Sequence, residues 1–478
     1  MLEHYEPKQF FHWFEKITQI PRPSFHEEKI CDFLESFAQH RGFPYHRDEA
    51  NNILMRVPAT AGYENEPAML LQSHTDMVAA KEDDVVFDFT RDPIQLVITG
   101  NELHANRTTL GADDASGMSI MLAIADTPEL PHPELELLFT AQEEVGLIGI
   151  QKFDCTLIRS KRMINLDCGR MHNISVSSAG AMTAVVEETF ETAIAEGTLF
   201  YLTISGGIGG HSGLEIHKNR ACAANILGEL LVEAGKAYGI RLVSLHTPRQ
   251  AILGEIRASF VVETAQAELA AEAIRNAFEK ARTRYRLTDP ALRLELTQKI
   301  CQDCNAISQS DSMRVAKLLY ILRTGVKKHD AENPVIVLTS AVIAAVKLEQ
   351  GQFQFSYSIR AVEDHEKALH GAILKETLQL LRFSMRVSKD YPGWPKRPHS
   401  EMVNLVDRVH QRIFGDVPGH QYIHGGIEVG VILGAIPEMD AVGMLPSMAN
   451  AHTPREVLYL DQVPDYWRLI TAILAEKV

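Results

Sequence analysis

Residues 106–127 read NRTTLGADDASGMSIMLAIADT, and the rest of the chain is organised around them. A polar, glycine-bearing turn delivers two adjacent carboxylates, Asp113 and Asp114. It then runs straight into an apolar segment, Met118 to Ala125, with helical spacing. Burying a carboxylate is costly unless something positive compensates it. Two readings of this stretch stand open. The acids sit in an exposed surface turn, or they hold a cation.

Working outward, the neighbouring segments alternate between strands and helices. Residues 52–57 read as a short strand, and PAMLLQ at 67–72 as a buried one. Residues 95–104 suggest a hairpin around Gly100; ELELLFTA at 134–141 and residues 163–166 are further strands. Apolar residues recur at helical period over 6–18 and 25–39, split by the turn IPRPS. This alternation predicts an α/β sheet covered on both faces.

Three of these strands end in side chains able to bind a metal. His74-Thr75-Asp76 follows the first, Gln142-Glu143-Glu144 the second and Asp167 the third. In open α/β sheets, ligands bind at the carboxyl ends of the strands. One such histidine is usually structural; four sites in one region, counting Asp113, favour the cation reading.

The texture changes near residue 183. From there to 386, strands and long helices alternate, with AQAELAAEAIRNAFEKARTRY at 265–285 the clearest amphipathic helix. The Pro- and Gly-rich stretch DYPGWPKRP at 390–398 marks a crossing point, after which the α/β texture resumes. The sequence therefore predicts a first domain in two parts, 1–182 and 387–478, interrupted by an α+β domain at 183–386.

Composition narrows the function. With 62 acidic against 47 basic residues, the formal net charge is −15, which opposes a sequence-independent nucleic-acid binder and an anionic membrane surface as partner. No apolar run reaches the length of a membrane span. The N-terminal segment lacks the basic and apolar regions of a secretory signal. The six cysteines show no disulfide-framework spacing, so a reduced, cytoplasmic chain is expected. Cys301-x-x-Cys304 has no second pair to complete a zinc site and reads as ordinary helix or loop cysteines.

The local spacings make chemical sense. His74 and Asp76 share a face of extended backbone, so one can ligate a metal while the other orients it. Glu143 and Glu144 are adjacent and diverge, so one can bind metal while the other serves as general base; a solvated helix start is the competing reading. His452 lies in the turn Asn450–Pro454. Two histidines and several carboxylates suit a two-metal hydrolytic centre with a bridging carboxylate. The loop GGIGGHSG at 206–213 lacks the Lys-Ser/Thr ending of a phosphate-binding loop.

HTDM at 74–77, TTLGADDASGM at 108–118, TAQEEVGLIG at 140–149, INLDCG at 164–169 and AHTPRE at 451–456 together resemble the M20 metallopeptidases. IPRPSFHEEKI, DFTRDPIQ, GGHSGLEIH, YPGW and HGGIEVG carry the likeness across the whole chain, most closely to the aminoacyl-histidine dipeptidases. The resemblance implies a zinc-peptidase-like catalytic domain with an inserted lid domain, and dipeptide hydrolysis with two Zn2+ ions, Mn2+ or Co2+ being alternatives. By it, His74, Asp113 and Asp167 hold one ion, and Asp113, Glu144 and His452 the other. Asp76 supports His74, Glu143 is the general base, His211 polarises the scissile carbonyl and Arg360 grips the substrate carboxylate. It implies a small peptide substrate and a homodimer. An M20 amidase acting on N-acyl amino acids is the alternative. The chain departs from the family pattern at Ala341-Val342, at Cys168-Gly169-Arg170 and at Asp114, which leaves substrate preference open.

Overall fold

The computed structural model describes residues 1–248 and 251–477. The chain divides into two compact units. One comprises Met1–Ser178, Trp394–Tyr422 and Ile427–Val478; the other comprises Ala179–Gly393 and Ile423–Gly426.

The first unit is built on an eight-stranded mixed sheet. At its centre, Met69–His74 pairs in parallel with Leu135–Thr140 on one side and Arg162–Asn165 on the other. Asp440–Gly443 extends the parallel set beyond Arg162–Asn165. Every residue of these four strands is buried, as expected where both faces of a parallel sheet are covered. Side chains alternate between the faces. Leu71, Leu137 and Ile164 join a core with Phe10, Phe14, Met121, Val406 and Ile470, from helices Lys8–Thr18, Ala112–Ala125, Glu401–Phe414 and Val463–Leu474. Leu70, Leu138 and Met163, one position along, are also fully buried.

Helix Ala112–Ala125 contains no charged residue after Asp114, and from Asp114 to Ala125 every residue is buried. A helix apolar all round belongs in a core. Its first turn is irregular: Asp113 takes φ −83°, ψ 100° and Asp114 φ −120°, ψ 46°, so both acids leave helical geometry. The peptide bond between them is cis.

In the second unit, a nine-stranded antiparallel sheet runs from edge strand Arg293–Ile307 to Arg386–Tyr391. Helices Ala223–Tyr238, Ala267–Arg284, Gln309–Ile321 and Asp364–Leu380 contribute Leu227, Ile274, Leu319 and Leu374 to a core shared with Phe200, Phe260 and Phe355 of the sheet. Residues 180–182 and 387–391 also belong to this sheet, through strands Gly180–Thr189 and Arg386–Tyr391.

Two expectations are corrected here, that Cys301 and Cys304 are ordinary helix or loop cysteines and that the cysteines are all reduced. Cys301 and Cys304 lie neither on a helix nor in a loop but on strand Arg293–Ile307, and they are joined in a disulfide. Opposite them, Ala195 pairs Cys304 and Gly197 pairs Cys301, a register irregularity that sets four residues against three. The bulge brings the two sulfurs together. Cys31, Cys155, Cys168 and Cys222 are free and buried. Among the described residues, no helix is long and apolar enough to cross a membrane.

Candidate metal centre

The parallel order of the central strands gathers the acids and imidazoles. His74 stands opposite Thr140, and Gln72 opposite Asn165. The chain leaving each strand therefore emerges at the same edge of the sheet. His74 ends one strand, Glu143 and Glu144 follow the second, and Asp167 follows the third. The irregular first turn of helix Ala112–Ala125 supplies Asp113.

Asp113 occupies the middle. Its Oδ1 lies 2.9 Å from His74 Nε2, and its Oδ2 lies 3.1 Å from His452 Nε2. His74 Nε2 is also 3.5 Å from Asp167 Oδ1, and His452 Nε2 is 3.0 Å from Glu144 Oε1. Each carboxylate oxygen of Asp113 thus faces a different imidazole, and each imidazole faces a further carboxylate. Donor atoms of His74, Asp113 and Glu144 converge within 4.8 Å, as do those of His74, Asp114 and Asp167. Glu144 Oε1 is buried, and His452 Nε2, 3.0 Å away, is its polar neighbour among the described residues. A buried oxygen of this kind is costly unless a cation takes it. The donor set of nitrogen and oxygen ligands fits zinc, manganese or cobalt.

Asp114 turns into the core, toward Ser73 and Gly117. It is fully buried; its Oδ1 accepts the Gly117 N–H at 2.9 Å and its Oδ2 the Ser73 hydroxyl at 2.6 Å. Burial, then the charge of Asp167, pushes it well above the usual carboxylate range.

The electrostatics divide the acids. Burial raises Asp113, but hydrogen bonds from His452 and then His74 outweigh it and hold the carboxyl well below its usual range. Burial pushes Asp167 up to about 7 against the opposing charge of His74. Glu143 is raised well above its ordinary value by burial and then by Asp167, which makes it more basic than a surface glutamate. Hydrogen bonds to Asp113 and Glu144 push His452 up to about 11.

Asp76 ties these parts together. Its Oδ1 accepts the Glu143 N–H at 2.9 Å; its Oδ2 accepts the Glu144 N–H at 3.3 Å and the Ser24 hydroxyl at 2.7 Å. The same carboxylate lies 3.5 Å from His74 Nδ1, whose nearest acceptor is the Asp76 backbone oxygen at 3.1 Å. Asp76 therefore orients both the imidazole and the Glu143–Glu144 turn.

Three supporting residues are not singled out by sequence spacing, although each lies inside a quoted motif. Arg22, of IPRPSFHEEKI, is buried and donates to the backbone oxygens of Thr75 at 2.9 Å, Asp76 at 2.7 Å and Gly111 at 2.5 Å. Glu456, of AHTPRE, accepts the N–H groups of Leu110, Gly111 and Asp113 at 2.9, 2.9 and 3.1 Å. Together they fasten the turn that carries Asp113. Glu428, of HGGIEVG, is fully buried beside Gln72 and Thr140.

His211 and Arg360 belong to the second unit. His211 Nδ1 accepts the backbone N–H groups of Gly213 and Leu214 at 3.2 and 3.1 Å, so the neutral ring carries its proton on Nε2. Arg360 keeps Nε and Nη1 buried without hydrogen-bond partners among the described residues. His424 is pushed down to about 4 by burial and then by the Arg360 charge. Val342, at the departure from the family pattern, packs in an apolar cluster with Ile216, Ile252 and Val337.

The chain matches the peptidase family M20/M25/M40 over residues 70–476. It is 32% identical to the cytosol non-specific dipeptidase of Escherichia coli strain K12 over 479 residues, 99% of each chain. Its structure is similar to the crystal structure of aminoacylhistidine dipeptidase from Vibrio alginolyticus, with TM-score 0.87, 28% identity, and coverage of 100% of this chain and 98% of that one. Aminopeptidase PepT from Bacillus cereus shares the fold at TM-score 0.60 and 16% identity, with 98% of each chain covered. A two-domain α/β chain whose strand ends gather these histidines and carboxylates, and which matches the family over this span, belongs to peptidase family M20/M25/M40.

Proposed function

We propose that the chain is a metal-dependent dipeptidase whose first unit carries the hydrolytic centre and whose second unit serves as the lid. One observation carries the reading: Asp113 presents its two oxygens to two different imidazoles, at 2.9 and 3.1 Å, with the buried Glu144 Oε1 3.0 Å from the second of them. His74, Asp113 and Asp167 would hold one divalent cation, and Asp113, Glu144 and His452 the other, zinc being the expected ion. When bound, such a pair polarises the substrate carbonyl and makes a water acidic enough to attack it near neutral pH.

The chain's own groups supply the proton transfers and the positioning. Glu143 takes the proton of the attacking water and passes it to the departing amine. Asp76 keeps Glu143 and His74 in place through the hydrogen bonds described above. His211 donates from Nε2 to the carbonyl oxygen as negative charge develops there. Arg360 takes the carboxylate of the substrate's C-terminal residue, for which a guanidinium is well shaped. The substrate is a small peptide, the working form a homodimer, and the compartment the cytoplasm.

The test is Glu143→Ala. The variant should keep its metal content while hydrolysis of dipeptides such as β-Ala-His falls by about 10²–10⁴-fold, the range for removal of a general base. Unchanged turnover would sink the assignment. Parallel assays on N-acetylated amino acids separate the dipeptidase from the amidase reading, because a dipeptidase needs the free amine.

A further inference from the structure

His172, His410 and Asp416 form another convergent donor set in the first unit, sharing no residue with the centre around Asp113. Local structure brings them together. His172 sits in the turn closed by mutual backbone hydrogen bonds between Arg170 and Asn173, just ahead of strand Asn173–Ser178. His410 occupies the penultimate turn of helix Glu401–Phe414. The helix ends at Gly415, whose φ of +89° suits glycine and reverses the chain so that Asp416 returns over His410. The Gly419 N–H then donates to the His172 carbonyl at 2.9 Å and fastens the two segments.

The hydrogen bonding fixes which nitrogen of His410 is available. Its Nδ1–H donates to the Asp416 backbone oxygen at 2.7 Å, which leaves the lone pair on Nε2. That lone pair faces His172 Nδ1 at 2.8 Å. Asp416 Oδ1 stands 3.4 Å from His410 Nδ1, on the side of the ring that meets the Asp416 backbone oxygen, and one donor atom from each of the three residues lies within 4.8 Å of the others. Among the described residues, no lysine or arginine forms an ion pair with Asp416. The Phe414 ring packs on both imidazoles, with centroids 5.2 Å from His172 and 4.7 Å from His410, and gives the pair an apolar wall. His410 is fully buried, whereas His172 and Asp416 are exposed, so an ion can enter from solvent.

We propose that His172, His410 and Asp416 hold a third metal ion, of the zinc class. Two imidazoles and one carboxylate suit zinc, nickel or cobalt; magnesium and calcium prefer all-oxygen sets. An imidazole that ligates through one nitrogen while donating from the other to a backbone carbonyl is the arrangement metal-bound histidines adopt. The ion ties the end of helix Glu401–Phe414 to the turn at His172 and so fixes an edge of the first unit's sheet. The site is structural, with its remaining coordination position open to water.

The competing account is a plain N–H···N hydrogen bond between the rings, and metal counting separates the two. Full-length enzyme and His172→Ala are dialysed against ZnCl2, and bound zinc is measured by elemental analysis. The wild type should hold one more zinc per chain than the variant, while the variant keeps the fold by circular dichroism and its dipeptidase turnover. Calorimetric titration with ZnCl2 should show one additional site in the wild type, weakened tenfold or more in Asp416→Asn and absent in His172→Ala. Equal zinc content and identical titrations in wild type and His172→Ala overturn the proposal. Equal occupancy of the site by MgCl2 overturns the assigned ion class.

Discussion

Glutamine at position 428 should make the metal-free enzyme more stable at alkaline pH and less stable at acid pH. Glu428 opens helix Glu428–Ala435 and is fully buried. Its Oε2 accepts the Gln72 amide and the Thr140 hydroxyl, each at 2.5 Å, while its Oε1 is buried without a hydrogen-bond partner among the described residues. Burial, reinforced by the charges of Asp167 and Asp76, pushes the carboxyl up to about 8 from an ordinary 4.5. Folding therefore takes up a proton between those values. The folded state binds more protons than the unfolded one, and stability falls as pH rises through that window. The difference of about 3.5 pKa units corresponds to about 5 kcal/mol at ~1.36 kcal/mol per unit, fully lost by about pH 8.

Glu428→Gln removes this titration and keeps an oxygen for Gln72 and Thr140. Its new N–H2 group falls where Oε1 has no partner, at a cost of about 1–3 kcal/mol. The variant should thus be less stable by about 1–3 kcal/mol near pH 5 and more stable by about 2–4 kcal/mol near pH 8. The assay is urea unfolding of chelator-treated protein followed by tryptophan fluorescence. All three tryptophans, Trp13, Trp394 and Trp467, lie in the first unit, so the signal reports that unit alone. A stability difference that stays constant between pH 5 and pH 8 would refute the reasoning.

Three further outcomes are expected. Asp76→Ala should weaken metal binding about 10–100-fold, measured by competition with a chromophoric chelator, because the His74 ring and the Glu143–Glu144 turn lose their shared anchor; unaltered affinity would remove Asp76 from that role. Gly149→Ala should destabilise the first unit by about 1–3 kcal/mol in the same fluorescence assay, since its Cβ would stand 2.0 Å from the Ala141 backbone oxygen and 2.7 Å from Asn52 Oδ1. His452, held up at about 11 in the metal-free chain, contributes stability that is complete below its ordinary 6.5 and is lost as pH rises through 11. A metal must displace that proton. Affinity should therefore rise with pH, with proton release visible as a buffer-dependent heat in calorimetry, and a buffer-independent heat would contradict it.

Much of the first unit is readable from local pattern because its central strands are short apolar runs that end abruptly in polar groups. The runs at 67–72, 134–141 and 163–166 correspond to strands Met69–His74, Leu135–Thr140 and Arg162–Asn165. Strand Arg293–Ile307 behaves differently. It is an edge strand in which Leu294 and Leu296 alternate with exposed neighbours; from Thr297 to Lys299 and on through most of its length the residues are exposed on both faces, so the alternation is too short to mark RLELTQKICQDCNAI as one strand. The Cys301–Cys304 pairing was hidden for the same reason, since it depends on a bulge set by the partner strand.

The opening stretch shows where local information stops. The sequence by itself determined that two acids precede a buried helix, and that other metal-capable side chains follow successive strands. Only the tertiary structure decided that Asp113 faces both His74 and His452, 39 and 339 residues away, while Asp114 turns inward to Ser73 and Gly117. It likewise decided that Arg22, Glu456 and Glu428 brace the site from distant parts of the chain. The physical reason is range. Apolar periodicity and turn chemistry act over a few residues and are written locally. The direction of a carboxylate oxygen is set by partners brought together only when the strands pair in parallel and the sheet closes over its core.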